Sequence, residues 1–344
     1  MYPHHNHCAA LGFAQIEPVA TLRSVAHLFG TSKSRCGIYL LEFSKQRFYL
    51  GQAVDAVRRF GQHRKNYDEI IGFSFIPVKP LQLAEVERKL IREAERLGLI
   101  LLNTVHATNV VGDTDLDMVV SPEEQVKWLA GAAQFNKEDN APSITLPVAQ
   151  QERFAEQYRK YQTVPLSKYT SQLLNSYLIN CVPAPKRTEY SFWIVSCYPS
   201  TNRSTWPRLV CVSAGVMELL VMGYQKDNPK EFWGFFTVAS DVLSKTFKDD
   251  NAIKAAFPEV ELVRRDYRDA GQHQLSLHAH DLETMQALLK HSAVQAAAAA
   301  LALRVMRKRA TIYSRFHCKQ LCDATLDFPS HQSQLCISEE VAVI

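Results

Sequence analysis

The chain has 344 residues, 47% of them hydrophobic and 22% charged, and its 39 Lys and Arg against 35 Asp and Glu leave a formal net charge of +4. This length accommodates two or three domains with cores of their own, and this charge excludes a polycation that gives its whole surface to phosphate. No apolar run is long enough to span a bilayer, the Ala-rich run 296–303 included, and residues 1–8 lack the basic start and apolar stretch of a signal peptide; the expectation is a cytoplasmic protein without membrane contact, its eight cysteines reduced.

In chain order, residues 1–34 form an N-terminal extension in which Glu17 to Phe29 is spaced as a short amphipathic helix. Cys36 to Phe43 is apolar and β-favouring and predicts a strand, Arg47 to Gly51 its hairpin partner, and Ser44-Lys45-Gln46 the turn between them. Tyr39 and Tyr49 then lie on adjacent antiparallel strands. Asp55 to Arg64 predicts a helix with Val57 and Phe60 inward, and Arg59 and His63, four apart, share one of its faces. Ile70 to Val78 alternates as a third strand, closed by Pro77 and Pro80. Leu83 to Leu97 predicts a second helix with Leu83, Val86, Leu90, Ile91 and Ala94 as its apolar stripe. Glu87 lies beside that stripe, placed to face a cleft between helix and sheet.

Along this stretch stand Gly37-Ile38-Tyr39, then Tyr49-Leu50-Gly51, then Arg59, His63, Glu87 and Asn103. The set suits phosphodiester hydrolysis. A phosphodiester is already negative, so a catalyst must generate a nucleophile, neutralise charge on the transition state and stabilise the leaving oxygen. A hard cation on a carboxylate serves the last two needs, a guanidinium fork the second, and a phenol or imidazole takes or relays the proton of the attacking water.

In order and in residue type, residues of about 35–105 resemble the GIY-YIG nuclease family. The second motif departs as Tyr-Leu-Gly, a mild hydrophobic swap. Glu85 competes with Glu87, but Glu87 precedes Leu90-Ile91 as the family pattern requires. The resemblance implies a three-stranded antiparallel sheet flanked by helices. It makes Tyr39 and Tyr49 the motif tyrosines, Arg59 the essential arginine, Glu87 the ligand of one Mg²⁺ or Mn²⁺ per site and Asn103 the closing asparagine. His63 fits the histidine that restriction enzymes of this family carry one turn after the arginine.

Beyond it, His106 to Val120 is loop-rich and acidic, and Asp113, Asp115, Asp117 and Glu124 match a calcium loop only in part, because Met118 stands where the sharp turn needs glycine. Ser121 opens a helix to Ala133, with Pro122 first and Glu124 completing a capping box. This predicts a nuclease domain with helical extension over 35–134 and a linker over 135–149, in which Asn136 to Pro142 is the plausible hinge. Residues 150–325 predict an α+β targeting domain, with helices at Gln150–Tyr161, Ser167–Leu178, Ser240–Phe247, Asn251–Ala256 and Asp281–Tyr313. Strands are expected at Tyr190–Cys197, Arg208–Ser213, Glu218–Tyr224, Phe232–Thr237 and Val260–Val263, and His278 and His280 on the exposed face of another. Phe192, Trp193, Trp206, Trp233, Phe235 and Phe236 suit a core better than a base-stacking platform. Residues 326–344 form a frayed tail.

From Thr284 to Cys322 there is no acid, so Arg304, Arg307, Lys308, Arg309, Arg315 and Lys319 stand out as phosphate contacts, joined by Arg58, Arg64 and Lys65 beside the nuclease motifs. Cys318 and Cys322 with His317 make half a zinc site whose other half is not evident. The combined expectation is an α+β protein, a metal-dependent endonuclease hydrolysing double-stranded or branched DNA with a water nucleophile. It would cut both strands as a homodimer or by sequential nicks. The rival expectations are a non-catalytic DNA-binding or scaffold protein on the same fold, and a nuclease held inactive until signalled.

Overall fold

The computed structural model describes residues 3–30, 34–103, 105–110, 112–131, 135–136 and 141–327. The chain is mixed α+β and divides into two compact units, Met1–Gly112 and Asp113–Ile344.

The first unit is built on a five-stranded sheet of order β1-β4-β2-β3-β5, with β1 at Glu17–Pro18, β2 at Gly37–Phe43, β3 at Arg47–Ala53, β4 at Ile70–Pro77 and β5 at Ile100–Leu101. Strand β2 is buried on both faces because both are covered. Ile38 and Leu40 pack with Leu83, Ile91 and Ala94 of helix α3 (Leu83–Arg96, following α1 at Pro3–Ala10 and α2 at Ala56–Asn66), while Tyr39, Leu41 and Phe43 pack with Ala56 and Phe60 of α2. The period-2 alternation of a strand thus assigns alternate residues to two separate cores. Helix α2 starts where Asp55 caps the Arg58 amide at 3.0 Å, and it ends in His63, Arg64 and Lys65, which suit the negative end of its dipole.

Glu17–Phe29 is not a helix. Strand β1 pairs with β4, Val19 N–H reaches Ile71 O at 2.9 Å, and only Ala26–Leu28 turns, as a 3₁₀ helix. The helical spacing of apolar residues arises because Val19, Val25 and Phe29 all pack on one core while the segment wraps the sheet edge, and the residue before Pro18 is held extended.

The second unit is a six-stranded antiparallel sheet of order β10-β11-β9-β8-β7-β6, with β6 at Trp193–Cys197, β7 at Arg208–Ala214, β8 at Met217–Gln225, β9 at Asn228–Val238, β10 at Glu261–Val263 and β11 at Leu275–Ala279. One face packs Val195, Val212, Leu220, Phe236 and Leu277 against helices that include Ser167–Cys181 and the Ala-rich Ser292–Lys308. Ala297 to Ala302 lie buried there, so small side chains with high helix propensity bring that helix close to the sheet.

Three boundaries differ from the expected ones. The division falls at Gly112, not after residue 134: Leu116, Val120 and Trp128, on or beside helix α4 (Pro122–Ala130), belong to the second core, and Asn136, expected in a linker, is buried and bonded to Ile179 O and Val182 O, each at 2.8 Å. Gln150–Tyr161 breaks into Val148–Glu152 and Ala155–Gln162 where Phe154 leaves helical geometry to pack inward. Asp281–Tyr313 breaks at His291, whose extended backbone ends Leu282–Lys290 and whose Nδ1 accepts the Ala293 amide at 3.3 Å, capping Ser292–Lys308. The Ser121/Glu124 capping box of α4 is present as expected. Residues 132–133 of the expected α4, most of the expected linker hinge and the tail from 328 onward lie outside the described residues. Among the described residues no helix is long and apolar enough to cross a membrane.

Candidate active site

Strand register builds the site. Tyr39 pairs with Gly51 and Leu41 with Tyr49, so Tyr39 and Tyr49 are diagonal neighbours on one face of the sheet, their rings 6.1 Å apart and nearly parallel. Gly51 is required there. A Cβ on it would lie 2.3 Å from Tyr39 Oη, 2.4 Å from Tyr39 Cζ and 2.8 Å from Tyr49 Cε1. Tyr39 is 1% exposed and has no room to swing aside. Gly51→Ala is therefore expected to destabilise the first unit by about 1–3 kcal/mol through overpacking. Denaturant unfolding followed by circular dichroism checks this, and wild-type stability would show that the tyrosine can retreat.

Helix α2 crosses this face and adds two groups to the phenol. His63 Nε2 lies 2.8 Å from Tyr39 Oη, and Arg59 Nε donates to the same oxygen at 3.4 Å. Burial, reinforced by Tyr49, pushes the Tyr39 hydroxyl well above the usual phenol range. Burial first, then the Arg59 charge, lowers His63 to about 4. At neutral pH a neutral imidazole therefore faces a neutral phenol. In the tautomer with the imidazole proton on Nδ1, Tyr39 Oη donates to Nε2 and the chain of donors runs Arg59, Tyr39, His63. Arg59 stays charged, held above its ordinary value first by its hydrogen bond to Tyr39, and its exposed Nη1 reaches Gln62 Oε1 at 3.0 Å.

Glu87, on α3, is held from strand β3. The Gln52 backbone amide donates to Oε1 at 3.0 Å and the Gln52 side-chain amide to Oε2 at 2.9 Å. Burial raises the Tyr49 hydroxyl and the Glu87 carboxylate raises it further, which places that charge within electrostatic reach of the tyrosine pair. A carboxylate offers about four acceptor sites, and the two bonds from Gln52 orient its plane; a carboxylate is also the ligand type a hard cation takes. Asn103 is buried and clasps β3 at Leu50, accepting its amide at 3.0 Å and donating to its carbonyl at 2.7 Å, which fixes the backbone between Tyr49 and Gly51. Sequence reasoning missed Gln52. Its only signal is its place directly after Gly51, on the strand end that faces α3.

The expected phosphate contacts divide. Arg58 and Lys65 are exposed on α2. Arg64 is structural: its guanidinium ties Val19 O, Ile70 O and Asp68 O at 2.7, 2.9 and 3.1 Å and lies over the Phe60 ring. In the second unit, Arg304 grips Asp241 with two bonds of 2.8 and 2.7 Å, and Arg307 bonds Asp117 at 2.9 Å and Gln125 at 2.6 Å. Arg309 pairs with Asp269 at 3.4 Å, Lys319 is buried against Glu189 and Asp323, Lys308 is half-buried and engaged, and Arg315 is exposed over Phe316. The acid-free run meets its acids from elsewhere in the unit, so Arg304, Arg307 and Lys319 serve the fold instead of a nucleic-acid face. Asp117 is spent in the same way, bonded to Arg307, Gln125 and the Thr114 amide, which removes the calcium-loop reading.

The other half of the supposed zinc site is Glu189, not a second cysteine pair. Ligand atoms of Glu189, His317 and Cys322 lie within 4.8 Å of one another, all buried. Hydrogen bonding argues against a metal there. His317 Nδ1 accepts the Val195 amide at 3.3 Å, so the ring proton sits on Nε2 and points at Glu189 Oε1, 2.8 Å away. A metal on Nε2 would need that proton moved to Nδ1, against a backbone donor. The Lys319 ammonium, 3.2 Å from Glu189, already supplies the cation.

No protein-family model, no curated protein and no solved structure matches the chain.

Proposed function

We propose that the first unit is a GIY-YIG nuclease domain and that the chain is a divalent-metal-dependent endonuclease hydrolysing DNA. The observation that carries this reading is the Arg59–Tyr39–His63 chain beside a carboxylate oriented by Gln52. A water attacking phosphorus passes its proton to Tyr39 Oη as the Tyr39 proton moves to His63 Nε2, so the tyrosine relays and the histidine is the terminal base. The Arg59 guanidinium, whose outer end Gln62 holds at Nη1, meets the non-bridging oxygens and stabilises the charge that grows on them. Tyr49 orients the phosphate from beside Tyr39, and Arg58 and Lys65 add phosphate contacts. Glu87 is the residue that would hold Mg²⁺ or Mn²⁺, which when bound supplies neutralisation of charge on the leaving 3′ oxygen.

The test is cleavage of supercoiled plasmid by the full chain in Mg²⁺ and in EDTA, alongside Arg59→Ala. The expected result is nicking or linearisation that EDTA abolishes and that Arg59→Ala slows by about 10²–10³-fold, the usual loss for one transition-state donor. Binding without cleavage of plasmid or branched DNA would turn the reading into a non-catalytic DNA-binding module.

The pH dependence follows from His63. It must be unprotonated to accept, and its value of about 4 in the folded chain lies below the ordinary 6.5. The cleavage rate is expected to stay flat through pH 6.5 and to fall only as the pH approaches that lower value. A fall centred on pH 6.5 would show His63 solvated and outside the relay. The same shift makes the unfolded chain bind this proton first, so the first unit loses stability as pH drops below 6.5.

A further inference from the structure

The second sheet is partly hollow on the face opposite the Ser167–Cys181 and Ser292–Lys308 helices. Along β6 and β7 the residues on that face include Ser196, paired with Cys211, and Ser213, paired with Ile194, where a half-buried sheet usually carries large side chains. The resulting cavity has a volume of about 320 Å³, the scale of a small-molecule site. Phe154 and Tyr313 contribute ring walls, and Arg208, Glu218 and Arg203 are its charged lining residues. Arg208 is 11% exposed and pairs with Glu218 through Nη1, but its buried Nε–H has no acceptor among the described residues. A buried charged donor left in that state is destabilising until a ligand acceptor meets it. Two arginines against one glutamate leave the lining with one net positive charge.

We propose that this cavity binds a small, planar, ring-bearing carboxylate. The carboxylate accepts from the Arg208 guanidinium and from the Ser196 and Ser213 hydroxyls, and its ring lies against Phe154 and Tyr313. One net positive charge matches a monoanion. A phosphate monoester dianion would bring surplus negative charge into a poorly solvated site beside Glu218.

The experiment is calorimetric titration of the full chain with 2-naphthoate, with 2-naphthalenemethanol (same rings, no charge) and with 2-naphthyl phosphate. Saturable one-to-one binding of 2-naphthoate, at least tenfold tighter than either comparison ligand, is expected. Ser213→Leu fills the cavity without altering charge and should remove binding while circular dichroism stays native. Arg208→Gln should bring the carboxylate down to the affinity of the alcohol. Failure of 2-naphthoate to bind, undiminished binding by folded Ser213→Leu, or a preference for the phosphate would each overturn the proposal.

Discussion

Glu87→Gln is expected to leave the first unit as stable as the wild type and to lower metal-dependent cleavage by about 10³-fold or more, the several kcal/mol that metal-assisted charge neutralisation supplies. The two halves of this expectation rest on different contacts. Stability is spared because Gln52 meets the Glu87 side chain through a fixed backbone N–H at Oε1 and a rotatable amide at Oε2. An amide in place of the carboxylate keeps an oxygen for the backbone donor, and the Gln52 side chain turns over to present its own oxygen to the new NH₂ group. What disappears is the negative charge, which a hard cation needs and a carboxamide does not offer. Plasmid nicking rates over a Mg²⁺ titration, with denaturant unfolding of the same variant, check both halves. Near-normal turnover would move the metal away from Glu87. Gln52→Ala provides a scale: it leaves the charge and removes the side-chain amide at Oε2, so a smaller loss, about 10–100-fold in metal affinity or activity, is expected, as for other groups that orient a metal ligand.

The geometry around Tyr39 was largely legible in the sequence because it depends on short-range rules. The alternation in Gly37–Phe43 set which residues face α2, the three-residue turn at Ser44-Lys45-Gln46 set the register that places Tyr49 diagonal to Tyr39, and a four-residue spacing put Arg59 and His63 together. The capping box at Ser121 marked the start of α4. What local pattern could not reveal was where a side chain finds its partner. The run from Thr284 to Cys322 looks like a polycation because it holds no acid, yet Arg304 meets Asp241, Arg307 meets Asp117 and Lys319 meets Glu189, partners 63 to 190 residues away. The same limit hid the unit boundary. No composition shift separates α4 from the first unit, and only the burial of Leu116 and Trp128 in the second core assigns it. The segment Glu17–Phe29 shows the converse error, in which correct spacing served a wrapped strand edge.

Glu189→Ala is expected to cost the second unit about 3–5 kcal/mol, the penalty for breaking a buried charge network by removing one partner. Glu189 and His317 have no exposed side-chain surface, and Lys319 has 8%. Burial alone would raise the Glu189 carboxyl, but the His317 hydrogen bond and the His317, Lys319 and Cys322 contacts outweigh it and hold it below its ordinary range. Removal leaves the Lys319 ammonium with Asp323 alone and the His317 Nε2–H without an acceptor, both away from water. All four tryptophans of the chain, Trp128, Trp193, Trp206 and Trp233, lie in this unit, so their fluorescence during denaturant unfolding of the full protein reports it without interference from the first. The sign of the pH dependence follows from the lowered carboxyl. Its contribution is complete at neutral pH, declines once the pH falls below the ordinary carboxylate value and is gone below the folded one, so the gap between wild type and Glu189→Ala should close in acid. A gap that persists unchanged in acid would mean that shape, not charge, is what Glu189 supplies. A wild type that loses stability on treatment with a chelator at neutral pH would instead return the cluster to metal binding, against the proton that Val195 fixes on His317 Nε2.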